Sequence, residues 1–286
     1  MKLAVFGAAG QLGRALVRVA AAEGVTVAAF DRATADITNA PAVRAALASA
    51  AADAVINAAA YTAVDKAESE PERAFAVNRD GARTLAAEAA RLNLPLIQVS
   101  TDYVFDGTKQ GAYVEDDPIA PLGVYGKSKA EGEAAVRAAL PTAIIVRTAW
   151  VYGREGANFV KTMLHLAAER DALRVVNDQH GCPTYADDLA AGLIAIAARP
   201  TPGTYHLTGT GATTWYDFAR AILARALKTP RLEPIATAEY PTPARRPANA
   251  VLDCSKAKRT FAVELPPWND GLSRMLDAHL GRGVSE

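Results

Sequence analysis

The chain has 286 residues, 50% hydrophobic and 22% charged, which is ordinary for a globular protein and excludes a disordered one. Lys and Arg number 31 and Asp and Glu 31, so the formal net charge is zero; there is no basic excess or run with which to grip nucleic acid. Two cysteines and four scattered histidines, in no metal-ligand spacing, exclude a disulfide scaffold and a structural zinc site, and each histidine reads as structural or surface.

The longest apolar run, Ala190 to Ala198, is too short to cross a bilayer. The apolar stretch after Lys2 breaks at Gly7 and again at Gly10-Gln11, which argues against a secretory leader. A cytoplasmic protein with no membrane and no nucleic-acid partner is expected. At roughly 150 residues per domain the length allows about two domains.

Leu3-Ala4-Val5-Phe6 reads as a buried strand. Gly7-Ala8-Ala9-Gly10-Gln11-Leu12-Gly13 follows as a turn, then Ala15, Leu16, Val19 and Ala20 recur at helical spacing. Val25 to Phe30 is a second strand, ending at Asp31. Each part has a physical purpose. Gly7 permits the tight turn, Gly10 clears the backbone for a pyrophosphate, and Gly13 lets the helix lie close on the strand. The helix N-terminus offers free N–H groups to phosphate. Asp31 stands 18 positions past Gly13, near the roughly 20 expected of an acid on an adenosine ribose. Asp31 suits the 2′-hydroxyl of NAD, while Arg32 is either a ligand for the 2′-phosphate of NADP or a solvated charge.

Ala54-Val55-Ile56 is the next strand, running into small residues at Asn57-Ala58-Ala59-Ala60. Phe75 to Arg91 reads as a helix, Leu94 to Val99 as a strand with Thr101 beyond its end, and Ile144 to Val146 as another strand. Strands alternating with helices predict an α/β fold, a Rossmann-type doubly wound parallel sheet with ligands outside the carboxyl ends of its strands. After Tyr152 the alternation decays. Helices are expected over Asn158 to Arg170, Ala186 to Ala198 and Asp217 to Leu227, and a proline-rich loop over Pro230 to Pro247. The predicted division is a dinucleotide-binding domain over 1–150, with return segments near 175–207, and a smaller, mainly substrate-binding domain over 151–286.

Tyr125 and Lys129 stand four apart at the start of an amphipathic segment that runs to Leu140, so a helix stacks them on one face. A phenol ionises near pH 10 in water, and a nearby cation eases proton exchange with a carbonyl. Lys129 supplies that cation, and the Thr101 hydroxyl can orient a substrate oxygen. Alone, the Tyr–Lys pair is equally an ordinary helix start; beside the glycine turn it reads as catalytic. Arg245 and Arg246 are either diphosphate ligands or a surface pair.

The Gly7, Gly10, Gly13 spacing resembles the extended short-chain dehydrogenase/reductase superfamily. Within it the chain resembles the dTDP-4-dehydrorhamnose reductases. The resemblance rests on the glycine turn, Asn57 to Glu68, Ser100 to Gly107, Tyr125 to Lys129, Arg147 to Tyr152, Val176 to Gly181, Tyr205 to Leu207, Thr213 to Trp215 and Tyr240 to Pro247, so it covers nearly the whole chain. It implies NADPH- or NADH-dependent reduction of the C4 ketone of a nucleotide sugar, dTDP-4-dehydro-L-rhamnose. Tyr125 would be the proton donor, Lys129 its partner and a ribose ligand, and Thr101 would tune Tyr125. Thr101, Asp102 and Trp150 would contact the sugar, Trp150 having a second reading as a core aromatic, and Arg246 would also reach the substrate. The cofactor would touch Gly7, Gly10, Gln11, Leu12, Gly13, Asp31, Arg32, Asp36, Ile37, Ala60, Tyr61, Thr62 and Val99.

Some members of this family form a metal-bridged dimer through an acid just after the glycine turn. Arg14-Ala15 stand there in this chain, so no metal is expected; a homodimer is left open. Asp187-Asp188 reads as a helix start rather than a metal site. Two rivals remain. A 4,6-dehydratase or epimerase is disfavoured because Tyr103, not Glu, follows Thr101-Asp102. A non-catalytic NADP-binding regulatory subunit is disfavoured by the intact Thr101, Tyr125 and Lys129.

Overall fold

The structure, a computed structural model, describes residues 1–281; the last five residues of the predicted 151–286 segment lie outside them. In chain order the elements are β1 (Lys2–Phe6), α1 (Gln11–Ala22), β2 (Thr26–Phe30), α2 (Ala40–Ala50), β3 (Ala54–Asn57), α3 (Val64–Ala67) and α4 (Pro71–Phe75). A π-helical segment, Ala76–Gly81, leads into α5 (Ala82–Arg91), β4 (Leu96–Thr101), a 3-10 turn (Asp102–Val104), α6 (Val124–Ala139) and β5 (Ile144–Thr148). There follow β6 (Val151–Tyr152), α7 (Phe159–Glu169), β7 (Ala172–Val176), β8 (His180–Gly181), β9 (Thr184–Tyr185), α8 (Ala186–Ala198) and β10 (Gly203–His206). The chain closes with β11 (Thr213–Thr214), α9 (Trp215–Arg225), β12 (Arg231–Ile235), a second 3-10 turn (Thr237–Glu239), α10 (Ser255–Phe261) and α11 (Trp268–His279).

Six strands form one parallel sheet in the order β2-β1-β3-β4-β5-β10. Because side chains alternate along a strand, Leu3 and Val5 enter one core layer and Ala4 and Phe6 the other. The first layer lies under α1 and α8, with Leu16, Leu189 and Leu193. The second lies under α2, α5 and α6, with Leu47, Leu85 and Val136. The strands read as continuous apolar runs because both faces are buried. Strand order reverses at β1, whose neighbours are β2 and β3, and a crevice opens at the carboxyl ends there. A third core layer joins α7, α9, α11 and β7 through Met163, Leu173, Phe218, Ile222 and Met275.

Several sequence boundaries move. The helix expected from Phe75 begins at Pro71, which suits a first helical turn, and widens into the π segment before α5. The strand expected over Leu94 to Val99 runs from Leu96 to Thr101, so Thr101 ends the strand, paired with Thr148, rather than lying beyond it. Thr214 caps α9 by accepting from Asp217 N, which starts that helix at Trp215 instead of Asp217. The proline-rich stretch from Pro230 is not all loop: its first part is β12, parallel to β7, because Pro234 sits where the ribbon has only one partner. Cys182 and Cys254, far apart in sequence, are free thiols that both reach the Thr208 hydroxyl. Among the described residues no helix is long and apolar enough to cross a membrane.

Candidate active site

The glycine turn is built as its spacing requires. Gly7 adopts φ +81°, and a Cβ there would fall 2.5 Å from Ala59 N. A Cβ on Gly13 would fall 2.1 Å from Gly7 O, so the start of α1 presses directly on the turn. A Cβ on Gly10 would meet only Gly7 O, at 3.2 Å, and would project toward open space. Gly10 is the N-cap of α1 without a side-chain cap, so the first N–H groups of the helix remain available to an anion.

A cavity of about 420 Å³ opens there, lined by Gly7, Gly10, Asp31, Arg32, Asp36, Ile37, Ala60 and Tyr61 among others. Eight of the residues expected at a cofactor thus line one space. Asp31 is fixed by accepting from Ala33 N, Thr34 N and Thr34 Oγ1, which hold its carboxyl below the usual carboxylate range. Arg32 is largely exposed and reaches Asp36 at 3.4 Å. Other residues expected there sit differently. Gln11 spends its side chain on the Val151 carbonyl and on Asn158. Leu12 packs on the first core layer, and Thr62 is exposed outside the cavity lining. An uncapped helix, a cradle that a Cβ would obstruct and a carboxylate at the end of β2 together fit a dinucleotide.

Tyr125, Lys129 and Thr101 converge at the carboxyl end of β4. All three are buried. The Thr101 hydroxyl donates to Asp102 Oδ1 at 2.8 Å and is near enough to the Tyr125 phenol to favour its ionised form. Burial pushes the phenol up to about 12, against the pull of Thr101. Lys129 Nζ donates to the Val99 carbonyl O at 2.7 Å, and burial draws its ammonium down to about 8. The spacing assigns Lys129 as the cation near the phenol; its ammonium is turned to the Val99 carbonyl, while burial, Thr101 and Asp102 act on the phenol. Asp102 is 2% exposed, its Oδ2 has no hydrogen-bond partner among the described residues, and burial raises its carboxyl to about 7. A carboxylate oxygen buried without a donor is an open acceptor.

Tyr103 meets Tyr125 edge-on at 5.4 Å and lies within electrostatic reach of Arg246, which borders a second cavity. That cavity, about 560 Å³, is lined by Phe159, Met163, Val176, Gln179, Trp215 and Arg246 among others. Arg246 is held by a two-pronged bond to Asp65, at 3.0 and 2.8 Å, while Arg245 is exposed. Trp150 stands at φ +47° and its ring stacks on Trp215 with centroids 3.5 Å apart. A Cβ on Gly181 would fall 2.3 Å from that ring, so only glycine at 181 lets the indole lie flat. Gln179 and Trp215 carried no role in the sequence reading. The signal was present in their motifs, but the Trp215 Nε1 to Gln179 bond of 3.2 Å joins segments whose proximity the fold alone creates. Asp187 and Asp188 are taken up by arginines: Asp187 by Arg18 and Arg154, Asp188 by Arg274.

The model of the RmlD substrate binding domain family matches residues 1–280. The dTDP-4-dehydrorhamnose reductase of Sinorhizobium fredii is 46% identical over 99% of both chains. The chain belongs to the dTDP-4-dehydrorhamnose reductase family. Solved structures agree. The family member from Clostridium acetobutylicum superposes with a TM-score of 0.93 at 40% identity, covering 97% of this chain and 99% of that one. The Bacillus anthracis reductase, solved in complex with NADP, also gives 0.93, at 36% identity with the same coverage.

Proposed function

We propose that the chain reduces the C4 ketone of dTDP-4-dehydro-L-rhamnose to dTDP-L-rhamnose. The observation that carries this reading is the convergence of buried Thr101, Tyr125 and Lys129 at the carboxyl end of β4, in a chain that has a dinucleotide-shaped crevice and is 46% identical to a reductase of that name. Bound NADPH or NADH supplies the hydride. Gly10 and the N-terminus of α1 would hold its pyrophosphate, and Asp31 and Arg32 its adenosine ribose. A reduction needs the phenol protonated, and a value near 12 keeps it so across the neutral range. The alkoxide left at C4 is a stronger base than a phenolate, so transfer of the Tyr125 proton is downhill. Thr101 then turns its single hydroxyl proton from Asp102 toward the phenolate, while Lys129 adds a positive charge from the same helix face.

The open Oδ2 of Asp102 accepts from a sugar hydroxyl, and Trp150 bounds the sugar. Arg246, its fork held by Asp65, meets the diphosphate in the larger cavity through the donors those bonds leave over, and its charge suits such oxygens. Residues 1–150 with the segments near 175–207 form the dinucleotide-binding domain, and 151–286 is mainly the substrate side, with Asp102 and Trp150 reaching the sugar from the first. Mixing the protein with NADPH and dTDP-4-dehydro-L-rhamnose tests the reading. Loss of NADPH absorbance with formation of dTDP-L-rhamnose supports it; no turnover with either nicotinamide cofactor refutes it.

A further inference from the structure

A third ionisable side chain shares the face of α6 that carries Tyr125 and Lys129. Glu133 follows Lys129 by four residues, one turn farther from the phenol. It is 1% exposed. Its Oε1 accepts from Ser100 Oγ at 2.6 Å and Arg147 Nε at 2.9 Å, and its Oε2 accepts from Arg147 Nη2 at 2.8 Å and Arg137 Nη2 at 3.1 Å. Arg147, on β5, is also 1% exposed. It donates to the Glu115 carbonyl at 3.3 Å, meets His206 at 3.4 Å and covers the Phe105 ring at 5.1 Å. A buried ion pair of this kind adds little stability over apolar side chains of the same size, so its place directly behind Lys129 needs another reason.

Among the described residues Lys129 itself bonds a carbonyl and no carboxylate. The other charged groups on elements around α6 are engaged among themselves. On the π segment Arg79 pairs with Asp80 and with Glu131 of α6. On α5 Glu88 is held by Arg44 and Arg91, and Arg83 acts on Asp80. Arg73 of α4 and Lys66 of α3 both pair with Glu70, and Asp65 pairs with Arg246. Glu72 on α4 is exposed, Glu68 accepts from Val124 N at the start of α6, and Asp102 and Tyr103 act at the Tyr125 end. Glu133 is the anion that opposes the cost of burying the Lys129 ammonium.

We propose that Glu133 is a positioning residue for the reduction: its carboxylate, clamped by Arg147 and Ser100, holds Lys129 as a cation in place behind Tyr125. The proposal rests on the Tyr125–Lys129 reading above. Burial already draws Lys129 to about 8, so its charge is close to being lost in the assay range. Neighbours four apart on a helix lie roughly 5–6 Å apart at Cβ. Across that distance, at an effective dielectric near 20, removing one charge moves the titration by up to roughly two pH units, and by less where the charged ends lie farther apart than the Cβ atoms.

The test is the pH profile of kcat/KM for NADPH-dependent reduction, with thermal melts alongside. Glu133→Gln should move the alkaline limb acidward by up to roughly two pH units, costing about tenfold near pH 8 and much less near pH 6. Arg147→Met removes the buried cation from the carboxylate, leaving it Arg137 and Ser100, and should move the limb the other way. Both variants break the same buried pair, so a purely structural role would shift both limbs alike or neither, and that result overturns the proposal. Glu133→Asp should restore the wild-type limb. If neither core variant folds, Arg137→Gln decides, because Arg137 is half-exposed: a limb moved alkaline supports the proposal and a stationary one overturns it. Lys129→Met separates the two readings. If it abolishes the alkaline limb while Glu133→Gln and Arg147→Met leave theirs in place, only the Glu133 proposal falls. If it keeps the wild-type profile, the Lys129 reading falls and takes the proposal with it.

Discussion

Replacing Asp102 with Asn separates the cost of burying this carboxyl group from the use made of it. One oxygen accepts from Thr101 and the other has no hydrogen-bond partner among the described residues. Burial raises the folded-state value to about 7 from an ordinary 3.8. The folded form therefore binds the proton more tightly than the unfolded form. Stability from this group is greatest in acid, falls as the pH rises from about 4 to about 7, and stays lowered above that. A gap of about three pH units at 1.36 kcal/mol each is about 4 kcal/mol, of which about 3 kcal/mol is lost between pH 5 and pH 8. Asn cannot ionise and still accepts from Thr101, but its amide NH₂ lacks a partner, at a cost of about 1–3 kcal/mol that does not vary with pH. At roughly 2 °C per kcal/mol for a chain of this length, the difference in Tm between variant and wild type should rise by about 5 °C from pH 5 to pH 8. Thermal melts of the cofactor-free protein at the two pH values measure it. A Tm difference that is the same at both would refute the claim that the carboxyl is buried and strained by its charge. The same variant should lose about 10–100-fold in kcat/KM, since a charge-accepting contact to the substrate is worth about 1.5–3 kcal/mol.

Two further substitutions probe the two cavities. Arg32→Ala should weaken NADPH by about tenfold and leave NADH unchanged, because only NADPH carries a 2′-phosphate; equal losses by fluorescence titration would remove Arg32 from the phosphate. Arg246→Ala should raise KM for the nucleotide sugar by about 10–100-fold with kcat and the KM for NADPH little changed, and a fall in kcat alone would place Arg246 elsewhere in the reaction.

What was legible in the sequence was local or periodic. The glycine turn, the buried strands and the Tyr125–Lys129 spacing each need only a few neighbouring residues, and they fall in the structure where their periods place them. Boundaries set by capping were harder. Asn158 and Thr214 cap α7 and α9 through side-chain bonds, and the shift of α9 to Trp215 follows from that cap. The widening to a π segment at Ala76–Gly81 breaks no hydrophobic period and so left no mark in the pattern; there Asn78 bonds the Tyr61 backbone and Ser128. Contacts made across the fold were not legible. Nothing near Lys129 in sequence announces that Arg147 will clamp Glu133 behind it, or that the Trp150 ring will lie on Trp215 over Gly181. The orientation of the Lys129 ammonium is the instructive case. The spacing places both on one face, but burial of the ammonium directs it to the Val99 carbonyl.

The central claim is that the Tyr125 phenol delivers the proton that completes the reduction. Tyr125→Phe keeps the ring, its edge contact with Tyr103 and the cofactor crevice, and removes only the hydroxyl. Its kcat for reduction of dTDP-4-dehydro-L-rhamnose should fall by at least about a hundredfold, within the range that general acid catalysis contributes, while the Kd for NADPH stays within about twofold of wild type. A variant that binds NADPH normally and keeps more than half the wild-type turnover would contradict the account.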